Sequence, residues 1–365
     1  MDAGTGYGGG HGGLGETSAM SDKGDAVKSQ TEPPRQAFRL PAEIGPLLGL
    51  LGVFALFLIL LAWGGQVRSF LSLYNLQLLM HQNAIHAVVV IGALLVIISG
   101  GIDLSVGSVA ALAAVSTALA YKHTLAATGS AEWASVAAVA AGVGAGGLCG
   151  LVNGLTISWL RLTPFVATLG MLSIARGVAF WLSDRSQVRP TGTMPAWVDS
   201  LQEARHKILF FDPGVWSALL LAVGAVVLLR FTVFGRYCYA IGSNEATARL
   251  CGVRVERNKV IIYTLAGLLT GWAGILAFAQ ASGSGDPTVQ VGLELDVIAA
   301  AVVGGASLRG GQGSVVGVLL GVLILGVLEN GVNSCGVPLE VKYILIGVIV
   351  VANTALSEWQ RRRAG

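Results

Sequence analysis

Charged side chains are scarce in this 365-residue chain: Asp, Glu, Lys and Arg together make up 12% of it, about half the share found in soluble domains. With 54% hydrophobic residues and a mean hydropathy of +0.71, too little polarity remains to build a water-facing surface. A soluble globular protein is excluded, and a polytopic membrane protein is implied. Cysteine is also sparse. The four cysteines, Cys149, Cys238, Cys251 and Cys335, form no CxxC pair, which argues against a disulfide framework or a thiolate zinc site. Five histidines are scattered with no HExxH, so no metal site is expected. Catalytic constellations are missing as well, with no nucleophile beside a base and no paired carboxylates in a common motif. The stretch GGASLRGGQGS superficially resembles a phosphate loop, but it lacks GxxxxGK[ST] and has no lysine nearby. The chain is therefore expected to be no enzyme, to need no cofactor and to bind no ATP itself. The net charge of +3 gives no sign of a nucleic-acid partner.

Glycine, by contrast, is plentiful, with 51 residues, many of them inside apolar runs such as AAGVGAGGLCGLVNG and VVGVLLGVLILGVLENG. Small residues let membrane helices approach closely where lipid supplies no hydrophobic drive for association. Residues 1–41 are Gly-, Ser- and charge-rich and read as a disordered tail. They lack the apolar core of a secretory signal, and the role of GYGGGHGG stays open. Residues 42–358 form the membrane domain, and 359–365 (QRRRAG with its flanks) form a basic end.

The apolar runs predict an all-α bundle of about ten transmembrane helices. They are Pro46 to Trp63, Leu73 to Ile98, Ser105 to Tyr121, Trp133 to Trp159, Pro164 to Leu182, Val215 to Phe231, Val260 to Ala281, Leu295 to Val303, Val315 to Leu328 and Val341 to Leu356. The run Leu295 to Val303 is too short for a full crossing. Lys and Arg concentrate in the tail, in the loop Arg230 to Lys259 and at Arg361–Arg363. By the positive-inside rule all three are cytoplasmic, and so are both termini. The loop 183–213 then lies outside. Two pairs of segments echo each other: SGGIDLSVGSVAALAAV resembles VGGASLRGGQGSVVGVLLGV, and GLVNGLTISWL resembles VLENGVNSCGV. Such echoes suggest the internal repeat common in transporters.

Two motifs carry the chemistry. In SGGIDLSVGS, Gly100 and Gly101 can break a helix, and Asp103 or Ser105 can accept from free N–H groups where the next one starts. This predicts a broken or re-entrant segment. Irregular backbone at membrane depth persists only where protein buries it or water lines it, so the stretch is either a translocation path and gate or an interfacial loop cap. In GSNEATARLCGVRVERNKV, Asn244 caps a helix of about two turns that Gly252 ends. A helix this short needs a partner to hold it; alternatively, the basic loop only sets topology.

Taken in order, GGIDLSVGS, NGL with TPFVATLG, AIGSNEATARLCGV and GGASLRGGQGS resemble the membrane-spanning permease subunits of bacterial ATP-binding-cassette importers of the ribose/xylose/galactose class, over about Asn75 to Ala355. The resemblance implies a multi-pass protein of the inner membrane that pairs with a second permease copy. Two cytoplasmic ATP-binding subunits would drive it, and a periplasmic sugar-binding protein would deliver a monosaccharide. It also implies that Asn244, Glu245, Ala246, Thr247, Ala248, Arg249 and Gly252 form the ATPase-coupling helix, Thr247 standing where a second alanine is common.

Candidates for the sugar path or its gate are Gly100, Gly101, Asp103, Ser105, Asn83, Asn153, Thr163, Asn330 and Asn333, each of which could instead cap or bridge helices. Glu294 and Asp296 suit the start of the short run, and Arg309 suits a cytoplasmic turn. The nearest alternative is the branched-chain amino acid branch of the same superfamily. A proton- or sodium-coupled transporter is disfavoured, because the spans hold few ionisable residues, chiefly Asp103 and Glu329.

Overall fold

A computed structural model describes residues 6, 8, 43–190, 197–198, 201, 210–338, 341, 344–348 and 351. The expectations for residues 1–41 and 359–365, and most of those for the loop 183–213 and the final run 341–356, lie outside the described residues. Among those described, the chain is helical, with one isolated bridge between Val188 and Gly285. The helices are α1 (Ile44–Trp63), α2 (Val67–Phe70), α3 (Leu73–Ile98), α4 (Val106–Thr128), α5 (Ala131–Ser158), α6 (Pro164–Leu182), α7 (Pro213–Phe231), α8 (Val233–Ser243), α9 (Glu245–Leu250), α10 (Val255–Gln280), α11 (Leu293–Val303) and α12 (Val315–Ser334). Eight of them are long and apolar enough to cross a membrane. The eleven residues of α11 rise only about 16 Å, half a hydrocarbon layer.

Local sequence explains the boundaries. Short polar side chains accept from the first free N–H groups at Ser72 (from Asn75, 3.1 Å), Asp212 (from Val215, 3.0 Å), Thr232 (from Gly235, 3.2 Å) and Ser314 (from Gly317, 3.0 Å), each relieving an orphan donor. Pro164 and Pro213 open α6 and α7, where a missing N–H costs nothing. Gly129 ends α4 with φ 68°. Several observed helices overrun the predicted runs: α4 continues to Thr128, α10 begins at Val255 and α12 reaches Ser334. The extra turns are polar or glycine-bearing, which hydropathy discounts but hydrogen bonding does not.

α3 is the central post. From Ala84 to Ile98 nearly every side chain is buried, as expected of a helix that is apolar all round. On the other side of the core, α5 and α10 run antiparallel at backbone contact. A Cβ on Gly146 would run into the carbonyl of Gly267, one on Gly150 into that of Tyr263, and one on Gly154 would lie 2.8 Å from the Cα of Val260. The four-residue spacing of Gly142, Gly146, Gly150 and Gly154 keeps this seam on one face.

α10 also serves as a ruler for depth. Gly92 of α3 packs on Ala266, the Gln280 side chain donates to the His81 carbonyl (3.0 Å), Gly101 lies under Tyr263, and Gly274 packs on Ala113 and Ala114 of α4. α3 therefore ends near the level of Lys259, whereas α4 begins near that of Thr270. The six residues between Ser99 and Leu104 climb roughly 15 Å back into the bundle before α4 starts. From the opposite end, 281–292 descends: Gly285 lies beside Ala114 and Ala118, and Gln290 and Leu293 lie against Gly107. The re-entrant reading of SGGIDLSVGS thus finds its counterpart in a second inward segment, and α4 and α11 both begin inside the bundle, side by side.

The first sequence echo corresponds to like hairpins. α3–α4 and α11–α12 each turn through a glycine-bearing loop at the end that carries α9, and those loops touch, with Gly311 N–H donating to Ile98 O at 2.8 Å. In the second echo, Asn153 of α5 and Asn330 of α12 lie on helices that run in opposite directions.

The glycine seam gives a direct test. Gly146→Ala should lower stability in detergent by about 1–3 kcal/mol. Gly144→Ala on the same helix, where nothing lies within 4 Å of the added carbon, should lose nothing. Thermal unfolding of the two purified variants measures the difference.

Candidate functional site

The start of α4 is built around a buried carboxylate. Asp103 Oδ1 accepts from the Ser105 N–H at 2.8 Å and from the Ser105 hydroxyl at 2.6 Å. Ser105 is the N-cap residue, but its own side chain makes no capping bond. It accepts instead from Asn153 Nδ2 of α5 at 3.1 Å. Thr168 of α6 directs its hydroxyl toward the carbonyls of Pro164 (2.9 Å) and Ile102 (3.4 Å). Asp103, Ser105 and Asn153 therefore form one cluster, set where the positive end of a helix dipole stabilises negative charge. Tyr263 closes it: the residue is 1% exposed, its hydroxyl sits directly over Gly101, and that oxygen has no hydrogen-bond partner among the described residues. Gly100, at φ 82°, makes the turn that precedes the climb.

The start of α11 faces this cluster from the other side. Gly292 takes φ 86° at the N-cap, and Glu294 and Asp296 sit in the first turn. Gly292 offers no side chain to cap α11, and the two carboxylates stand at the positive end of its dipole, which favours negative charge. Glu294 lies against Gly107 of α4, and Asp296 Oδ2 lies 3.9 Å from His86 Nε2 on α3. Asn83, His86, Asp296 and Glu329 line a cavity of about 10 Å³, room for a single water. Asn83 also borders an apolar cavity of about 160 Å³ between α3, α7 and α12.

The remaining predicted path residues are dispersed. Asn330 exchanges two amide hydrogen bonds with Asn75, both 2.9 Å, and so bridges α12 to α3. Thr163 precedes α6 as an exposed N-cap residue with no side-chain capping bond, and Asn333 is exposed near the end of α12.

Sequence reasoning missed three members. Arg176, half-buried in α6, donates to the carbonyls of Pro287 (2.6 Å) and Val289 (3.0 Å) and so pins the descending segment 281–292. His81 meets the buried Asp212 at 2.8 Å. Tyr263 is the third. The expectation that ionisable groups in the spans are chiefly Asp103 and Glu329 is thereby corrected: Arg176, His86 and Asp296 stand in or beside the same polar seam. A lone arginine within the run Pro164 to Leu182 was the available signal. At the outer turn of 281–292, burial opposes ionisation of Asp286. Hydrogen bonds from the Thr288 hydroxyl and amide and from Gln187, with the charge of Arg176, outweigh it and hold the carboxyl below its usual range.

The third element is the connector. Asn244 accepts from the Thr247 N–H at 3.0 Å, capping the six-residue α9 as predicted, and Gly252 follows the helix at φ 84°. Ala248 is buried with Ile241 and Val255. Glu245 pairs with Lys259 at 2.7 Å and with Arg249 at 3.2 Å, and Arg249 pairs with Glu256 at 2.8 Å. These bonds tie α9 to the first turn of α10. Ala246 and Thr247 face outward, and Leu250 is 89% exposed, leaving a surface with none of the described residues over it.

Residues 75–353 match the family model described as the permease component of the branched-chain amino acid transport system. The chain belongs to this permease family. It is 38% identical to the ribose import permease protein RbsC of Escherichia coli K12 over 284 residues, covering 78% of this chain and 85% of that one. It is 37% identical to RbsC of Bacillus subtilis, covering 88% and 95%. With the L-arabinose ABC transporter permease protein AraH of Azospirillum brasilense the identity is 33%, covering 92% and 96%. No solved structure matches the chain. Among the described residues no His, Cys, Asp or Glu group suited to a metal occurs.

Arg176→Met removes two charge-assisted bonds to the descending segment and should lower the stability of this permease by about 1.5–3 kcal/mol. Arg176→Lys should recover part of the loss. Chemical denaturation of both purified variants tests this.

Proposed function

We propose that this permease is the membrane-spanning subunit of an ATP-driven importer that carries a monosaccharide across the bacterial inner membrane. The observation that carries the reading is the match over most of the chain to relatives named for ribose and L-arabinose, with a fructose import permease of Rhizobium meliloti at 34% identity alongside them. In this reading two copies pair, two ATP-binding subunits dock on the α9 side, and a periplasmic sugar-binding protein delivers the cargo. Both termini are cytoplasmic, and ATP is bound by the partner subunits alone.

The geometry supports such a division of labour. α9 is too short to be stable alone, yet it is capped and tied by ion pairs to α10 while presenting Leu250 outward. That suits a rigid knob seated in another protein's groove. Exposed ion pairs contribute little to stability, so the value of Glu245, Arg249 and Lys259 lies in fixing the angle of α9. Movement of α9 reaches α8 and α10, which flank it in sequence, and through them the paired helix starts of α4 and α11. In this reading the Asp103–Ser105–Asn153 cluster at the start of α4 and the Asn83–His86–Asp296 group at the start of α11 serve as polar stations for the cargo. Hydroxyl-rich cargo needs donors and acceptors of this kind.

The family description favours a second reading, import of a branched-chain amino acid. Uptake by a strain lacking the gene separates the two. Loss of radiolabelled ribose, arabinose or fructose uptake with normal leucine uptake is the expected outcome; loss of leucine uptake alone overturns the sugar reading. A second test addresses the connector. Leu250→Glu should abolish co-purification with the ATP-binding subunits while leaving the permease in the membrane at normal yield. Retained co-purification would mean that α9 is not the docking element.

A further inference from the structure

Three sequence motifs remain without a joint role: the SGG that ends α3, the IGS that ends α8, and RGGQG between α11 and α12. They meet at one place, beside Asn244. Gly311 N–H donates to Ile98 O at 2.8 Å. Gly242 lies so close that a Cβ there would strike the Ile98 carbonyl oxygen and stand 2.6 Å from the Gly311 amide nitrogen. A Cβ on Gly310 would stand 2.8 Å from the Gly242 carbonyl and 2.9 Å from the Gly100 Cα, and one on Gly311 would stand 3.1 Å from the Ser243 Cα. Gly100, Gly310 and Gly311 all have positive φ, at 82°, 85° and 72°, a region open to glycine at little cost. The Tyr239 hydroxyl donates to Gly313 O at 2.8 Å, and Ser243 Oγ donates back to Tyr239 O at 2.8 Å.

We propose that this backbone clasp fastens the α8–α9 lever to both re-entrant hairpins and transmits its displacement to them, with Tyr239 and Gly242 as positioning residues for transport. The proposal rests on the importer reading and deepens it. Three features carry it. The clasp adjoins the cap of α9, so α9 cannot shift as a body without moving Gly242. On its far side it holds the last carbonyl of α3, from which the chain climbs through Gly101 and Asp103 to α4. It also holds the loop that joins α11 to α12. One displacement therefore reaches both hairpins together, through backbone contacts at Gly242 and Gly311 and the Tyr239 hydroxyl bond to Gly313. Close-packed contacts of this kind switch between discrete arrangements and do not deform gradually.

The test uses the permease reconstituted in liposomes with its ATP-binding subunits and its loaded binding protein. ATP hydrolysis is measured beside uptake of whichever of radiolabelled ribose, arabinose or fructose the whole-cell assay selects. Gly242→Ala forces the clasp apart. Tyr239→Phe removes one hydroxyl and leaves the ring, so it decides the matter if Gly242→Ala fails to accumulate. Tyr237→Phe, on the same helix, is the control. The expected result for both clasp variants is retained assembly and retained hydrolysis, with sugar moved per ATP reduced about fivefold or more. Tyr239→Phe should assemble at normal yield, so that a lowered sugar-to-ATP ratio reports lost coupling and not lost protein. An unchanged sugar-to-ATP ratio in Tyr239→Phe, or in a well-folded Gly242→Ala, overturns the clasp while leaving the importer reading intact. A wild-type complex whose hydrolysis does not respond to the loaded binding protein overturns the importer reading itself, and the clasp's role with it.

Discussion

Inside the hydrocarbon layer an open backbone amide or carbonyl has no water to bond, and everything distinctive about this bundle follows from how it meets that constraint. Most of the chain meets it by being helical. The two inward segments, 99–105 and 281–292, cannot, and each recruits its own partners. Asp103 takes the Ser105 amide, Thr168 reaches Ile102, Gly311 takes the Ile98 carbonyl and Arg176 takes two carbonyls of the descending segment. A buried polar group without a partner costs several kcal/mol in such surroundings. Irregular backbone at this depth is therefore maintained by specific side chains, and those side chains mark where the fold invests in something other than stability.

Glycine makes the arrangement possible in two distinct ways. Along α5 and α10 it acts by absence of volume: carbonyls and Cα atoms of facing helices touch where any side chain would hold them apart. Dispersion over such a seam replaces the hydrophobic drive that lipid withholds. At Gly100, Gly292, Gly310 and Gly311 it acts by conformation, supplying positive φ where the chain reverses at a helix end. The rigid glycine seam and the hinged glycine turns lie in different parts of the molecule. A close-packed α5–α10 frame thus coexists with hairpins whose turns rest on glycine conformation.

Much of this was legible in the residues themselves. The paired glycines and lone carboxylate of SGGIDLSVGS announce a broken segment because no other local structure tolerates them between two apolar runs. Asn244 and Gly252 bracket α9 by ordinary capping chemistry, and the brevity of the run before Val303 declares α11 incomplete. The descending segment was not legible: ASGSGDPTVQVG has the composition of any surface turn, and only Arg176, far away in sequence, reveals its depth. The Asn75–Asn330 bridge and the His81–Asp212 pair were hidden for the same reason. Each joins residues more than a hundred positions apart, and single-sequence periodicity carries no information about which faces meet. Asn83, Asn153 and Asn330 looked equivalent as polar residues in apolar runs. Packing separates them into a cavity wall, a partner for Ser105 and a helix bridge.

The position of the polar seam relative to α9 has a mechanical consequence. Between α9 and the start of α4 stand only Ser243, the clasp at Gly242, the end of α3 and the climbing residues 99–105. Along that line the contacts at Gly242, Ile98 and Gly311 are backbone to backbone, and beyond them Gly101 lies under the Tyr263 side chain. A path through flexible side chains would absorb a displacement of an ångström or two by rotamer changes, whereas a path of abutting carbonyls and amides must pass it on. The same displacement arrives at the loop before α12, which carries Glu329 into the wall of the small cavity. On the proposed mechanism Asp103 and Glu329 sit at the ends of two arms driven from one point, and a single push at α9 would act on both. An importer that opens a polar passage and then closes it against leakage would gain from such simultaneity, because both halves of the passage would move together.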